Sequence, residues 1–200
     1  MFPTGLLAGS GWSSGLNLWA VIGLLGIAGR AGWADTPEVL HNPLVIAAAV
    51  ILYAAEFVID KIPYLDSVWD VANTAIRPTG AGALALLMTP HESMPHRVLA
   101  VGGAAAAALS SHSAKASLRA LINVSPEPVS NIIASLAEDG LAFALVAFAF
   151  HHPRLTLVIT IAAAIGCIVF VWWAVRTLRR IGRRVLRRRR DPAPPRTTIV

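Results

Sequence analysis

The sequence predicts an all-α, polytopic membrane protein with about six transmembrane helices, and three observations support this fold class. Hydrophobic residues make up 56% of the 200-residue chain and charged residues only 14%, which is far from the composition of a soluble domain. Mean hydropathy is +0.62. Apolar stretches that could cross a bilayer recur along the chain, so residues 1–175 are expected to form one transmembrane domain.

Six apolar segments account for this domain. The third is short, because at about 1.5 Å of rise per residue it does not cover a hydrocarbon core of about 30 Å. It would span only by including the more polar stretch from Leu65 to Ile76, or as half of a broken helix. The six segments are residues 5–29, 43–60, 76–90, 97–120, 129–150 and 154–175.

Charge is divided unevenly along the chain. Residues 176–200 hold ten of the seventeen Lys and Arg residues and one acid, which leaves seven bases and ten acids in residues 1–175. Because cytoplasmic loops carry an excess of Lys and Arg, this basic tail is expected in the cytoplasm, and six spans place the N-terminus there too. We expect the tail to contact anionic lipids and to be disordered toward its Pro-rich end. No nucleic-acid partner is expected, since no reading motif accompanies the arginines.

The two halves of the chain resemble each other, which suggests a three-plus-three inverted repeat over residues 5–90 and 97–175. Residues 36–42 and residues 125–131 each contain a Pro-Glu pair followed by Asn, and each opens an apolar segment. An odd number of spans in each half would place the halves upside down relative to each other, as in many transporters. The alternative is that Pro-Glu and Asn only cap helix starts.

Small and polar residues interrupt the first and fourth apolar segments in matching places, at Ser14-Gly15 and at Ser111-His112. In an inverted repeat, such breaks meet at the bilayer midplane, where freed backbone groups can bind a solute. Ser14 and Asn17 would then offer neutral hydrogen bonds at an unwound helix. Close helix packing through small residues is the other interpretation.

A dense group of acids surrounds the end of the second segment. Glu56 and Asp60 are spaced by four residues, as are Asp66 and Asp70, so each pair lies on one helical face. Four carboxylates could bind a hard cation or accept protons. The alternative is a helix end at the membrane interface, where the nearby Lys and Arg neutralise the acids.

A basic stripe is predicted on the fourth segment. His112, Lys115 and Arg119 follow each other at spacings of three and four, and Glu138-Asp139 in the fifth segment are their natural partners. A charge facing lipid would cost several kcal/mol, so these groups are expected to face each other or a cavity. They would form either a relay or anion-contacting wall, or a structural set of ion pairs.

Several blocks of the chain resemble a bacterial integral-membrane family catalogued as domain of unknown function 4126. The resemblance covers about residues 8–165, and the acidic block is its most specific part. It implies a small polytopic bacterial membrane protein and carries no established activity. Together with the topology expected from the basic tail, this places the protein in the bacterial inner membrane with both termini cytoplasmic. The blocks are residues 14–17, 56–70, 76–78, 114–116, 123–131 and 137–139.

The function expected from these features is that of a small transporter or channel-like protein for an ion or small polar solute. Its cofactor would be a coupling proton or sodium ion. The carboxylates would carry protons or bind a cation, and a lysine would balance their charge. The residues expected along the path are Ser14, Asn17, Glu56, Asp60, His112, Lys115, Glu138 and Asp139.

Two other classes stay open. A metal-dependent enzyme acting on a lipid head group or polyprenyl phosphate would use Asp66 and Asp70 to hold a divalent cation, and Arg77 or Arg119 to hold the phosphate. A non-catalytic assembly subunit, including a homo-oligomer, would instead pair its charges internally. The depth of the two aspartates distinguishes the enzyme from the transporter, because a metal enzyme needs them at a lipid-accessible interface.

Overall fold

The computed structural model describes residues 3–62, 64–124 and 128–190. Within these residues the chain forms six α-helices and one short 3-10 helix, Glu38–His41, with no β-strand, so the predicted all-helical class is confirmed there. The helices are α1 (Thr4–Arg30), α2 (Pro43–Ile59), α3 (Leu65–Leu87), α4 (Met94–Ile122), α5 (Pro128–His151) and α6 (Pro153–Arg190).

Prolines and a polar cap determine where several helices begin. Pro43, Pro128 and Pro153 are the first residues of α2, α5 and α6. Proline is favourable at this position because its fixed φ suits a helix and the N–H it lacks would have no partner there. Asn42 also caps α2, since its side-chain oxygen accepts a hydrogen bond of 2.9 Å from the N–H of Leu44.

Helix α1 lies at the centre of the fold and contacts each of the other five helices. Its small residues allow close approach to α4. A Cβ atom at Gly15 would overlap the carbonyl oxygen of Ala108 and the hydroxyl of Ser111, so only glycine fits at this crossing. The Ser111 hydroxyl donates a 2.6 Å hydrogen bond to the carbonyl of Trp12 and joins the two helices.

The distribution of polarity is inverted relative to a soluble protein. Many of the largest fully buried side chains are polar, among them Arg77, Arg119 and Glu56. Large apolar side chains cover the outside instead, as expected for a protein surrounded by lipid. Three helices, α1, α5 and α6, are long and apolar enough to cross a membrane within the described part of the chain, and α2 is a shorter apolar helix.

Helix α3 resolves the uncertainty about the short third segment. It begins at Leu65 and continues through Pro78 to Leu87, so the polar stretch ahead of the apolar segment is part of one helix. The alternative of a broken half-helix at this place is wrong. Helix α6 extends beyond the apolar segment, through the arginines to Arg190.

The two predicted interruptions have different outcomes. α1 is broken at Asn17, whose backbone is extended (φ −155°, ψ 101°), three residues after Ser14. α4 stays helical through Ser111 and His112, so the predicted break there is wrong. The reason is that the Ser111 hydroxyl donates to carbonyls of its own helix and of α1, so this polar residue is accommodated without unwinding.

The inverted repeat stays a prediction. Residues 125–127 of the predicted repeat and the Pro-rich end, 191–200, lie outside the described residues.

Candidate functional site: a buried charge cluster beside the break in α1

Ten ionisable side chains meet where α2, α3, α4 and α5 surround the middle of α1. None of these residues is more than 6% exposed as a whole. Spacings of three, four or seven residues put the members on α2, α3 and α4 on the inward face of each helix, whereas the two members on α5 are adjacent in sequence. This charge cluster consists of Glu56, Asp60, Asp66, Asp70, Arg77, His112, Lys115, Arg119, Glu138 and Asp139.

Arg77 joins three helices. Its Nη2 donates to Glu56 Oε1 of α2 at 2.5 Å, and its Nη1 donates to the carbonyl of Gly15 in α1 at 2.9 Å. Nη1 also lies 2.9 Å from His112 Nδ1 and 3.6 Å from Asp70 Oδ1. The guanidinium therefore has one strong carboxylate partner and one distant one.

Lys115 lies between acids from two helices. Its Nζ is 2.5 Å from Asp60 Oδ2, 3.5 Å from Glu138 Oε2 and 3.6 Å from Glu56 Oε1. It also donates a 3.2 Å hydrogen bond to the carbonyl of Leu16. A single ammonium group thus connects α2, α5 and the backbone of α1.

Arg119 extends the cluster toward the start of α5. Its Nη2 donates to Glu138 Oε2 at 2.7 Å, and its Nη1 donates to the carbonyl of Asp60 at 3.1 Å. Nη1 further contacts the backbone and side-chain oxygens of Asn131 at 3.0 and 3.2 Å. The side-chain amide of Asn131 in turn donates to Asp66 Oδ2 at 3.2 Å, so Asp66 is held mainly by amides.

The break in α1 separates two helix ends with opposite polarity. Gly15 and Leu16 end the first half, and their carbonyls accept hydrogen bonds from Arg77 and Lys115. Asn17 begins the second half as an N-cap, because its Oδ1 accepts from the N–H of Ala20 at 3.0 Å. The negative end of one half-helix therefore faces cations.

The positive end of the other half-helix faces an acid. Asn17 Nδ2 donates to Asp139 Oδ1 at 3.0 Å, which places this carboxylate beside the N-terminus of the second half of α1. Helix N-termini favour negative charge, since their first N–H groups have no partner within the helix. Cations therefore lie at the C-terminal end of the first half-helix, and an acid lies at the N-terminal end of the second.

Hydrogen bonding fixes His112 as a neutral imidazole. The Arg77 guanidinium can only donate, so His112 Nδ1 accepts its 2.9 Å hydrogen bond. Nε2 must then carry the proton, which it donates to the Thr74 hydroxyl at 3.1 Å. His112 consequently adds no positive charge to the cluster.

The cluster has more acids than bases. Six carboxyl groups and three cations lie in it, which leaves three negative charges if every carboxyl is ionised. The half-buried Lys61, which donates to the Phe57 carbonyl at 2.8 Å, would reduce the excess only to two. Uncompensated charge at this degree of burial costs several kcal/mol per ion. Ionisation of all six carboxyl groups at once is therefore unfavourable in this cluster.

Unpartnered oxygens occur in the same place. Among the described residues, one or both carboxylate oxygens of five cluster acids have no hydrogen-bond donor. Such buried acceptors cost about 1–3 kcal/mol each when left unpaired. The oxygens are Glu56 Oε2, Asp60 Oδ1, Asp70 Oδ1 and Oδ2, Glu138 Oε1 and Asp139 Oδ2.

A metal centre at Asp66 and Asp70 has little geometric support. Within residues 3–62, 64–124 and 128–190, no three His, Cys, Asp or Glu side chains are arranged to hold a metal ion. The two aspartates have different neighbours, Asn131 for Asp66 and Arg77 for Asp70. Arg77 and Arg119, considered above for phosphate binding, are engaged by protein carboxylates.

An apolar groove of about 670 Å³ lies elsewhere, between α1, α4 and α6. Small residues of α4 and isoleucines of α6 are prominent in its lining, which also includes Glu92 and His96. None of the ten cluster residues lines this groove.

The structure brings together most residues predicted for a polar path. Asn17 and the five acidic or basic path residues predicted from α2, α4 and α5 are joined by hydrogen bonds or ion pairs, as is His112. Ser14 is buried but donates to the carbonyl of Ser10 in its own helix. Sequence reasoning gave Arg77 only a neutralising or phosphate-binding role and overlooked Asn131 as a ligand of Asp66. The excess of acids over bases inside the apolar segments was the signal that could have predicted an ion-pairing role for Arg77.

Comparison with protein families identifies one relationship. The model of the family described as domain of unknown function (DUF4126) matches residues 5–180. The chain belongs to this family. The DUF4126 match is longer than the region expected from the resemblance, residues 8–165, and includes the first arginines of the basic tail. Searches of curated proteins and of solved structures gave no match.

Proposed function

We propose that this chain is a small transporter or channel-like membrane protein that moves a proton or another small cation through the charge cluster. One observation carries the proposal: six buried carboxyl groups face three buried cations next to a broken helix. A cluster kept only for stability gains nothing from uncompensated acids, since each costs free energy in low dielectric. In a transport path, by contrast, an unpaired acid has a use, because it can bind the transported cation and release it again.

We further propose that all six helices span the bilayer, with both termini in the cytoplasm of a bacterial cell. Large apolar side chains point outward from α2, α3 and α4 as well as from the three helices that satisfy the length and hydropathy requirement. At about 1.5 Å per residue, the 17 residues of α2 cover about 25 Å, close to the hydrocarbon thickness. The arginines at the end of α6 favour the cytoplasmic side.

A structural role in an assembly is the competing function, and one observation favours it. Each of the three cations contacts at least two other elements, as expected for ion pairs that hold helices together. Such a role, however, does not require the three surplus acids. The enzyme alternative has no comparable observation in its favour.

Reconstituted protein tests the proposal. Purified protein in liposomes should carry H⁺, followed with an entrapped pH-sensitive dye, or Na⁺ or K⁺, followed with ion-sensitive dyes. Glu138→Gln should abolish the flux, because Glu138 bonds Arg119 and lies 3.5 Å from Lys115. Glu92→Gln is the control, since Glu92 lies outside the cluster and, among the described residues, has its ion pair with His96. Wild-type flux equal to that of empty liposomes for all three ions would favour the assembly role instead.

A further inference from the structure

We infer that Asp70 is the carboxyl group of the cluster that holds an exchangeable proton, so that the cation the cluster takes up is H⁺. The role of this proton in transport rests on the proposed function. Whether Asp70 is protonated does not depend on that function, and it can be measured without an ion-flux assay.

Asp70 differs from the other five acids in its hydrogen bonding. It is 2% exposed, and neither of its side-chain oxygens accepts a hydrogen bond from any described residue. Each of the other five accepts at least one. The donors are Arg77 for Glu56, Lys115 for Asp60, Asn123 and Asn131 for Asp66, Arg119 for Glu138, and Asn17 for Asp139.

The nearest cation forms an ion pair with an ionised Asp70 but donates no hydrogen bond to it. Arg77 Nη1 lies 3.6 Å from Asp70 Oδ1, outside hydrogen-bond distance, while the same guanidinium binds Glu56 at 2.5 Å and donates to Gly15. Lys115 is likewise engaged with Asp60 at 2.5 Å. The acid that lacks donors is thus the one whose neighbouring cations are already occupied.

Groups from every neighbouring element bear on the charge of Asp70. Acids of α2 and α5 oppose ionisation, whereas cations of α3 and α4 favour it, and His112 is neutral. Because the acids outnumber the cations by three in the cluster, the sum favours a neutral carboxyl at the position with the fewest hydrogen bonds. The groups are Glu56 of α2 and Asp60 at its C-terminal cap, Arg77 of α3, His112 and Lys115 of α4, and Glu138 of α5.

Asn73 provides a second observation that a proton explains. It is 1% exposed, its Nδ2 donates to the Trp69 carbonyl, and its Oδ1 has no donor among the described residues. Asn73 and Asp70 are three residues apart on one helix, so their side chains are neighbours. A protonated Asp70 supplies one O–H donor where Asn73 lacks one. A single proton therefore removes one surplus charge and adds a donor on the helical face where a buried acceptor has none.

A proton also fits this place better than a metal ion. Metal cations need several oxygens directed at one point, as in the six to eight ligands of Ca²⁺. No such group of acidic side chains occurs among the described residues. Uptake forms one O–H bond on Asp70 with a proton from hydronium and leaves water, and release reverses this step without any redox change.

Infrared spectroscopy of the full chain in nanodiscs tests the inference. At pH 5 the wild type should show a protonated-carboxyl C=O stretching band that Asp70→Asn removes. Glu92→Gln should retain that band, because Glu92 lies outside the charge cluster. Asp70→Asn should also keep the melting temperature within a few degrees of wild type, since asparagine resembles a neutral aspartic acid. An unchanged band in Asp70→Asn would overturn the inference.

Two further outcomes separate this inference from the proposed function. A band that depends on Asp70 in a protein without ion flux would overturn transport and retain the proton on Asp70. Sodium flux with a band that does not depend on Asp70 would support transport and overturn the proton on Asp70. If Asp70→Asn did not fold, Asp70→Glu would replace it, and its band should shift in frequency; an unshifted band would again overturn the inference.

Discussion

The side-chain amide of Asn17 donates a 3.0 Å hydrogen bond to Asp139, a residue 122 positions away. The same asparagine caps the second half of α1 through its Oδ1. One side chain therefore maintains the break in the central helix and orients an acid of α5 toward it. The break and the charge cluster are parts of one structure, which makes several predictions possible.

Asn17→Ala should lower the free energy of unfolding by about 2–4 kcal/mol. Loss of an N-cap costs about 1 kcal/mol, and leaving the buried Asp139 oxygen without a donor costs about 1–3 kcal/mol more. Chemical unfolding in detergent, followed by circular dichroism, measures the change. Asn42→Ala is the matched control, because Asn42 caps α2 through an exposed hydrogen bond within its own helix, and it should cost only about 1 kcal/mol. Equal losses for the two variants would contradict the cross-helix role of Asn17.

Arg77→Gln should be strongly destabilising, by about 3–5 kcal/mol, because it leaves Glu56 buried without its cation. Adding Glu56→Gln should restore part of the loss, since the double variant contains no isolated charge at this pair. A double-mutant cycle on unfolding free energies gives the coupling energy directly.

The control for Arg77 is Arg154→Gln, which removes an exposed arginine at the start of α6. Its effect should stay within about 0.5 kcal/mol, as is usual for surface substitutions. Additive losses from Arg77→Gln and Glu56→Gln would show that the 2.5 Å contact between these residues contributes no specific stability.

Gly15→Ala should separate α1 from α4 and lower the yield of folded, monodisperse protein. The added Cβ would overlap the carbonyl of Ala108 and the hydroxyl of Ser111. Gly102→Ala is the comparison, since nothing lies within 4 Å of its Cβ position, and it should leave stability unchanged or raise it by about 0.5–1 kcal/mol. Size-exclusion chromatography and melting temperatures distinguish the two. Similar behaviour of both variants would argue against a close helix crossing at Gly15.

Cysteine labelling tests the six-span arrangement. In a Cys167→Ser background, cysteines placed at the exposed Thr4 and Arg180 should react with an impermeant maleimide only from the cytoplasmic side. A cysteine at Asp35, between α1 and α2, should react only from the opposite side. Labelling of Thr4 and Arg180 from different faces would require an odd number of spans and exclude the inverted repeat.

Local sequence patterns were sufficient for four of the helices. Apolar runs, prolines at helix starts and the Asn42 cap depend on neighbours a few residues away, so the bounds of α1, α2, α4 and α5 follow from the sequence to within a few residues. Helix α6 instead continues to Arg190, well past the predicted end at residue 175. Helix α3 shows the limit, because its first half is polar and its inward face becomes evident only when Asp66 and Asp70 have partners. The second predicted break failed for a similar reason: Ser111 finds acceptors on α1, and no local rule anticipates a neighbour about a hundred residues away.

The sequence by itself determined which side chains must avoid lipid, because a charge inside an apolar segment is costly wherever the segment packs. It thereby selected nearly all members of the charge cluster. Only the tertiary structure decided how they pair: Arg77 with Glu56, Lys115 with Asp60, Arg119 with Glu138, and Asp70 with no hydrogen-bond donor among the described residues. Pairing depends on distances of a few ångströms between helices, since Coulomb and hydrogen-bond energies change steeply over that range. Those distances are set by the packing around the break in α1.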